Sequence, residues 1–353
     1  MVTTAERLTY AAAQAARVAF YGAHYLVARL VARDAFAAID VEHHSFPSLA
    51  ATLKGMRLLF EKDLANAEAG FYPLPIDIAQ EIRRARASPN YLADIPRVAE
   101  RRRRNGSNEL ASAPGGLPRY YRQNFHYQTD GYLSADSARL YDFQVEALFG
   151  GTADAMRRRA WVPIARFMEG RNPQRTVLLD VGAGTGGFLA FVKRASPGLK
   201  LIALDLSKPY LARAEKRLSA WRDVKFVTAP AEKMPLGDRS VDVAISIYLF
   251  HELPPKVRAR VGGEIARVLK PGGMFVLAET IQYGDLPDCD GLIATFPDLL
   301  HEPYYDSFAR QDLAALFAPA GFELVETDIA YLTKISVFRK KTNKASPKKR
   351  SSK

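Results

Sequence analysis

Residues 176–279 alternate short apolar runs with helical periods, and this alternation constrains the fold more than any other feature of the 353-residue chain. The strand-like runs are 176–181, 199–207, 224–229, 241–247 and 274–279. Such alternation is typical of βαβ units and predicts a parallel sheet. Two further runs within 322–340 lie too close together for a crossover helix, so they predict an antiparallel hairpin. We therefore predict an α/β, Rossmann-like fold of parallel strands plus a C-terminal antiparallel hairpin.

The turn after the first run, LLDVGAGTGG at 178–187, contains two overlapping glycine patterns. Gly182, Gly184 and Gly187 fit the G-x-G-x-x-G pattern of dinucleotide-binding turns. Gly182, Gly184 and Gly186 fit G-x-G-x-G, a pattern that suggests S-adenosylmethionine. Glycines let the backbone approach a ligand closely, and ligands bind at the carboxyl ends of the strands in such sheets. The turn thus predicts a cofactor with a nucleoside, either NAD or S-adenosylmethionine.

Asp180, two residues before the first glycine, distinguishes these cofactors. A carboxylate there would repel a pyrophosphate, whereas it would attract the ammonium and sulfonium groups of S-adenosylmethionine. Asp205, at the end of the second run, suits ribose hydroxyls of either cofactor. The sequence therefore favours the cationic cofactor.

Four segments in order resemble class I S-adenosylmethionine-dependent methyltransferases: LLDVGAGTGG, ALDLSKPYLARAEKR, PAEKMPLGDRSVDVAIS and RVLKPGGMFVLAE. The branch that includes ubiquinone and menaquinone C-methyltransferases is the most similar. The resemblance covers about residues 172–340 and implies methyl transfer with S-adenosylmethionine as cofactor. The alternatives are an NAD(P)-dependent oxidoreductase and a non-catalytic Rossmann-like binding or scaffold protein.

The resemblance also implies roles for individual residues. The methionine part would contact Asp180, Gly182, Ala183, Gly184 and Gly186. The ribose hydroxyls would bind Asp205, and the adenine would lie against Leu206, Ala231 and Glu232. Proline stands at position 230, where family members often have an aspartate near the adenine amine. Ile247 and Tyr248, after the fourth strand, would face the sulfonium.

Methyl transfer needs a base only if the acceptor must lose a proton. The residues that we predict to act in catalysis are His251, Tyr248 and His126. Further candidates are Glu252, Tyr127, His301, Tyr304 and Tyr305. Each of these has a structural alternative, in which a histidine holds a loop or a tyrosine packs in a lid.

The acceptor class follows from what the chain lacks. The residues after the fourth strand, 246–249, read Ser-Ile-Tyr-Leu and not the Asn/Asp-Pro-Pro-Tyr of amino-methylating nucleic-acid enzymes. Only Glu279 is placed for the carboxylate cluster of metal-dependent catechol-type enzymes, so we predict no metal and no nucleic acid. We expect a small or lipophilic acceptor, quinone- or lipid-like, enclosed by the aromatic segments 119–132 and 296–308.

Composition divides the rest of the chain. We predict a helical N-terminal region at 1–118 with a linker at 105–118, aromatic-rich connector and lid helices at 119–170, the methyltransferase domain at 171–340, and a disordered basic tail at 341–353. The tail favours solubility or a peripheral contact with anionic lipid. A single cysteine, no apparent span and no signal peptide make a cytoplasmic location the expectation. The oligomeric state is left open.

Overall fold

A seven-stranded sheet forms the centre of the structure, a computed structural model that describes residues 2–33, 45–110 and 116–342. Its strands are β1 (Val177–Val181), β2 (Lys200–Asp205), β3 (Val224–Thr228), β4 (Val241–Ile247), β5 (Leu269–Thr280), β6 (Phe322–Ala330) and β7 (Thr333–Lys340). The strand order is β3-β2-β1-β4-β5-β7-β6. Strands β1 to β5 pair in parallel, and β7 pairs antiparallel with both β5 and β6.

This topology confirms the predicted sheet and its antiparallel hairpin. An antiparallel strand between β5 and β6 departs from the 3-2-1-4-5-6 order of dinucleotide-binding folds. The carboxyl ends of β1, β2 and β4 meet at one edge of the sheet, and the glycine turn follows β1 at that edge. The fold therefore brings the predicted cofactor residues together.

Thirteen α-helices of at least five residues occur in the described ranges. They are α1 (Thr4–Val31), α2 (Leu49–Glu68), α3 (Ile78–Ala85), α4 (Ser88–Arg103), α5 (Ala135–Leu148), α6 (Ala153–Arg159), α7 (Trp161–Met168), α8 (Gly187–Ala195), α9 (Lys208–Leu218), α10 (Pro255–Val268), α11 (Asp290–Leu300), α12 (Tyr305–Ala309) and α13 (Leu313–Phe317). Helices α5, α6 and α7 lie within 119–170, where composition predicts connector and lid helices.

The sheet carries an apolar core on each face because successive side chains of a strand point to opposite sides. Leu178 and Ile245 belong to the core shared with α6, α7 and α8. Leu179 and Ala244 belong to the other core, which α10 and α13 cover. The near-continuous apolar runs of the strands follow from this burial on both faces.

A buried network of charged side chains joins the N-terminal helices to the rest of the molecule. The Glu146 side chain on α5 is 0% exposed. Its Oε1 lies 2.8 Å from Nη2 of Arg17 on α1 and 3.4 Å from Nη1 of Arg84 on α3. Arg84 also donates to Asp154 of α6 at 2.9 Å. Buried charges require such partners, since an unpaired one is strongly destabilising.

Parts of three predicted regions lie outside the described residues: 34–44, 111–115 and 343–353. The predicted basic tail falls almost entirely within the last of these, and its contact with anionic lipid stays a prediction. Among the residues that the structure describes, no helix has the length and apolar character needed to span a membrane.

The ionic network allows a stability test. Replacing Glu146 with Gln removes one of the three carboxylates that Arg17 and Arg84 share, the others being Glu81 and Asp154, and we expect a loss of roughly 1–3 kcal/mol in the free energy of unfolding. Urea denaturation followed by far-ultraviolet circular dichroism measures this loss. Glu61→Gln is the matched control, because Glu61 pairs with Arg57 on the exposed face of α2. Equal midpoints for the two variants would contradict the assignment.

Candidate active site

Three glycines at alternate positions of the glycine turn have left-handed backbone conformations. Gly182, Gly184 and Gly186 have φ angles of +80°, +53° and +72°, a conformation that is costly for other residues. The amide of Gly182 donates to the carbonyl of Leu204 on β2 at 2.9 Å, and that of Ala183 does so at 3.0 Å. The turn is thus fastened to the neighbouring strand and leads directly into α8.

Asp205 lies at the end of β2 and organises the backbone around it. Its Oδ2 accepts a hydrogen bond from the Gly184 amide at 2.8 Å, and its Oδ1 accepts one from the Ser207 amide at 2.8 Å. Each oxygen keeps a second lone pair, which suits two neighbouring hydroxyls of a ribose. Burial raises the pKa of Asp205 to about 6, although the bonds from Ser207 and Gly184 oppose this shift.

Asp180 is buried at the end of β1, with 2% of its surface exposed. Burial raises the pKa of its carboxyl to about 8, and the charge of nearby Asp205 adds to this effect. Two buried acids close together favour a cationic ligand, because a positive charge would stabilise their ionised forms. The structure thereby supports the argument from the sequence for a cationic cofactor.

A side chain that sequence reasoning missed holds the glycine turn from outside. Asp142 of α5 accepts a hydrogen bond at 2.6 Å from the hydroxyl of Thr185, which lies between two of the glycines. Arg217 of α9 donates to the other oxygen of Asp142 and also to Thr185 at 3.1 Å. The conformation of the turn therefore depends on α5 and α9 as well as on its own glycines.

A cavity of about 50 Å³ opens beside the turn and Asp205. Its lining includes the predicted residues Gly182, Asp205, Leu206 and Ala231, together with Tyr120, Tyr121, Phe125, Leu204, Ala229, Pro230, Leu249, Glu252 and Leu253. Small-molecule pockets typically measure about 300–1,000 Å³, so a nucleoside needs the aromatic side chains over this cavity to move outward. These belong to residues 119–132, which we call the covering segment.

Hydrogen bonds fasten the covering segment to the domain at separate points. The hydroxyl of Tyr120 donates to both carboxylate oxygens of Glu232 at 2.9 Å, so the predicted adenine-side residue Glu232 holds the cover. Gln123 Oε1 lies 3.0 Å from Nε2 of His301. The two aromatic segments therefore contact each other, and the first of them lies over the cofactor cavity.

The turn after β4 is built around Glu279 at the end of β5. Its Oε1 accepts hydrogen bonds from the amides of Leu249 at 2.8 Å and Phe250 at 2.5 Å, and its Oε2 lies 2.6 Å from Nδ1 of His251. His251 is 3% exposed. Burial by itself would lower its pKa, but the charge and hydrogen bond of Glu279, with the charges of Glu302 and Glu252, together outweigh burial and raise the pKa of His251 to about 9. This environment favours a positioning role, and the catalytic role of His251 stays a prediction.

Tyr248 lies on the strand-end side of this turn with a φ angle of +54°. Its ring stacks on Phe149 with centroids 5.8 Å apart, and its hydroxyl is hydrogen-bonded to Thr333. The guanidinium carbon of Arg157 lies 5.7 Å from the centre of the same ring. Ile247, the residue that precedes Tyr248, is partly buried against the apolar core that the sheet shares with α6, α7 and α8. The roles of both residues near a sulfonium stay predictions.

His126 lies in the covering segment, where its φ angle is +58°. Its Nε2 is 2.8 Å from Oε1 of Glu302 and 3.8 Å from Oε1 of Glu252. Burial would lower the pKa of His126, but Glu302 and Glu252 together outweigh it and raise the pKa to about 10. The raised pKa favours the protonated imidazole, and the catalytic role of His126 stays a prediction.

Comparison with known proteins agrees with this geometry. Residues 179–277 match a family described as "Methyltransferase domain". The chain carries a class I S-adenosylmethionine-dependent methyltransferase domain. Its cofactor is S-adenosylmethionine, which fits the acidic pair and the glycine turn. The match and the sheet topology together argue against the oxidoreductase alternative.

Relatives of the domain differ in what their names say they methylate. A malonyl-[acyl-carrier protein] O-methyltransferase of Marinomonas sp. (strain MWYL1) is 39% identical over 117 residues, 33% of this chain and 42% of the relative. A demethylmenaquinone methyltransferase of Thermotoga maritima is 33% identical over 144 residues, 41% of this chain and 58% of the relative. The chain thus spans less than two thirds of either relative.

Among solved structures, the 1,6-didemethyltoxoflavin-N1-methyltransferase of Burkholderia thailandensis is 22% identical. The match covers 65% of this chain and 92% of that one, with a TM-score of 0.43.

The assignment of Asp205 predicts a loss of cofactor binding in Asp205→Ala. The variant lacks two charge-assisted bonds to the ribose and two that shape the turn, so we expect S-adenosylmethionine affinity to fall roughly 100-fold or more. Isothermal titration calorimetry measures the affinity. Asp223→Ala, at an exposed position just before β3, is the control and should bind as the wild type does. Unchanged affinity in Asp205→Ala would refute the site.

The raised pKa values predict a pH dependence of cofactor binding. A carboxyl with a pKa of about 8 is protonated at pH 6, and a protonated acid does not attract a sulfonium. We expect affinity for S-adenosylmethionine to rise between pH 6 and 8, by at most about tenfold per pH unit. The affinity for S-adenosylhomocysteine, whose sulfur is neutral, should rise less steeply with pH. In Asp180→Asn, the affinities for the two ligands should depend on pH to the same extent. Equal slopes for the two ligands in the wild type would contradict this electrostatic role.

Proposed function

We propose that the protein transfers a methyl group from S-adenosylmethionine to a small lipophilic acceptor, quinone- or lipid-like, that binds between the N-terminal helices and the methyltransferase domain. The observation that carries the proposal is a cavity of about 670 Å³ at this junction. That volume lies within the range of about 300–1,000 Å³ for small-molecule sites. Segments of α1, α3, α6 and α8 contribute to its lining, whereas the aromatic segments 119–132 and 296–308, which the sequence predicts to enclose the acceptor, do not.

The lining of the large cavity is dominated by apolar side chains. They include Phe20, Tyr21, Leu74, Ile76, Phe188 and Phe191. Ile78 and Ile82 belong to the lining and are 65% and 55% exposed, so they stand at the edge of the cavity in contact with water. Exposed apolar side chains beside an apolar cavity favour entry of an apolar molecule. Charged residues of the lining, among them Arg194 and Asp77, offer partners for a polar end group.

Two residues that line the large cavity are also neighbours of the predicted cofactor residues. Gly187 follows directly after the glycine turn and begins α8. Arg157 lines the cavity and also lies over the ring of Tyr248. Arg157 therefore contacts both the proposed acceptor site and a residue that is predicted to face the sulfonium. The quinone acceptor named for the Thermotoga maritima relative is consistent with a lipophilic class.

When bound, S-adenosylmethionine supplies an electrophilic methyl group, and the protein has to align the acceptor and exclude water. Asp180 and Asp205 provide negative charge around the cationic cofactor, and the covering segment shields its nucleoside. Glu279 fixes the turn that carries Tyr248 and His251. Because His251 and His126 both have raised pKa values, an acceptor that ionises readily, or one that loses its proton to water, fits this site better than one that needs a strong base.

Turnover distinguishes an enzyme from a non-catalytic scaffold. We expect the full-length protein, incubated with methyl-labelled S-adenosylmethionine and a cell extract, to form S-adenosylhomocysteine and to place label in the organic-solvent fraction. Asp205→Ala is the inactive control. Cofactor binding without formation of S-adenosylhomocysteine, and without methyl label in a product of either the aqueous or the organic fraction, would favour the scaffold alternative. Label confined to the aqueous or macromolecular fraction would refute a lipophilic acceptor.

Filling the large cavity tests where the acceptor binds. Ala13 of α1 contributes to the lining, whereas its neighbour Ala12 is exposed and lies outside it. We expect Ala13→Phe to raise the KM for the labelled lipophilic acceptor by about tenfold or more, since pocket shape discriminates at that level, with cofactor affinity unchanged. Ala12→Phe should match the wild type in both measurements. Equal KM values for the two variants would place the acceptor elsewhere.

A further inference from the structure

Three side chains from separate parts of the chain meet above the turn after β4. His126 comes from the covering segment, Glu252 from the 3₁₀ turn Phe250–Glu252, and Glu302 from the segment after α11. One ligand-type atom of each lies within 4.8 Å of the others. The His126 Nε2 atom is 2.8 Å from Glu302 Oε1 and 3.8 Å from Glu252 Oε1.

Glu302 is the member that ordinary hydrogen bonding explains least. Its side chain is 0% exposed, and neither carboxylate oxygen has a hydrogen-bond partner with good geometry among the described residues. A buried carboxylate without such partners is costly. Its close neighbour is the His126 ring, and its carboxylate points into the cluster that this ring and Glu252 complete.

The charge balance of the cluster favours a further cation. Two carboxylates face one imidazole, so the cluster contains one acidic group more than the imidazole can pair with. The hydroxyl of Tyr132 donates to Glu252 and orients it without adding charge. A residual buried negative charge of this kind is stabilised by a metal ion.

We propose that His126, Glu252 and Glu302 form a binding site for a divalent transition-metal ion such as Mn²⁺ or Zn²⁺. Imidazole nitrogen combined with carboxylate oxygen suits these ions. Atoms that share a metal at about 2.1 Å from each lie roughly 3–4 Å apart, close to the observed separations. Three protein ligands leave positions for water or for an oxygen of another molecule, and Tyr132 supplies an outer hydrogen bond to a ligand.

The proposed site departs from the prediction, made from the sequence, that the protein holds no metal. That prediction rested on the ends of β4 and β5, where Glu279 binds the turn. The proposed ligands meet only because the covering segment and the segment after α11 fold over the turn. A bound ion would therefore join the cover to the domain next to Glu252, which also lines the cofactor cavity.

Metal binding to the full-length protein tests the proposal. The protein is stripped with a chelator, dialysed against Mn²⁺ or Zn²⁺, and analysed by calorimetry, elemental mass spectrometry and thermal unfolding. We expect one tight site per chain and a rise in Tm on adding the metal. Glu302→Gln should weaken metal affinity by at least about tenfold and remove the rise in Tm.

Two further variants keep this test decisive. His126→Gln removes another proposed ligand from a partly exposed position, so it serves if Glu302→Gln fails to fold. His301→Gln is the matched control, because His301 also contacts the covering segment, through Gln123, but lies outside the cluster. The proposal is overturned if the wild type binds neither metal, which would leave a protonated imidazole between two carboxylates. Metal binding that is equal in all variants, or equally weakened in His301→Gln, overturns it too.

Discussion

Two carboxylates one helical turn apart on α5 hold the two halves of the molecule together. Asp142 binds Thr185 in the glycine turn, and Glu146 pairs with arginines of α1 and α3. Positions four residues apart lie on the same face of a helix, so α5 presents both acids to its surroundings at once. The shape of the cofactor turn and the position of the N-terminal helices thereby depend on one short, buried element.

Buried charge also bears on the choice of ligand, because two buried acids in the site favour a cationic cofactor. Asp180 and Asp205 lie close together in a low-dielectric environment that disfavours their ionised forms. A cationic cofactor relieves this repulsion, whereas a pyrophosphate would increase it. The glycines permit close approach by many nucleoside ligands, and selectivity between those ligands comes from the acids.

Local patterns in the sequence were sufficient for the sheet, and the cofactor roles stay predictions. Strand β4 and the final hairpin have the predicted bounds, because alternation of apolar runs and glycine turns is a short-range signal. The missed features all depend on distant partners. Asp142 and Thr185 are 43 residues apart, and Tyr120 and Glu232 are 112 apart, so no spacing rule relates them. The large cavity is likewise formed by helices that are far apart in the sequence, from α1 to α8.

The pairing of Glu146 with Arg17 and Arg84 has a consequence for how the protein unfolds. Separating the N-terminal helices from the sheet would break the pairs of Glu146 and Asp154 with Arg17 and Arg84. The helical region and the methyltransferase domain therefore stabilise each other through this contact, and we expect them to melt together. A boundary drawn from composition near residue 118 thus divides the sequence at a point where the energetics of folding are shared.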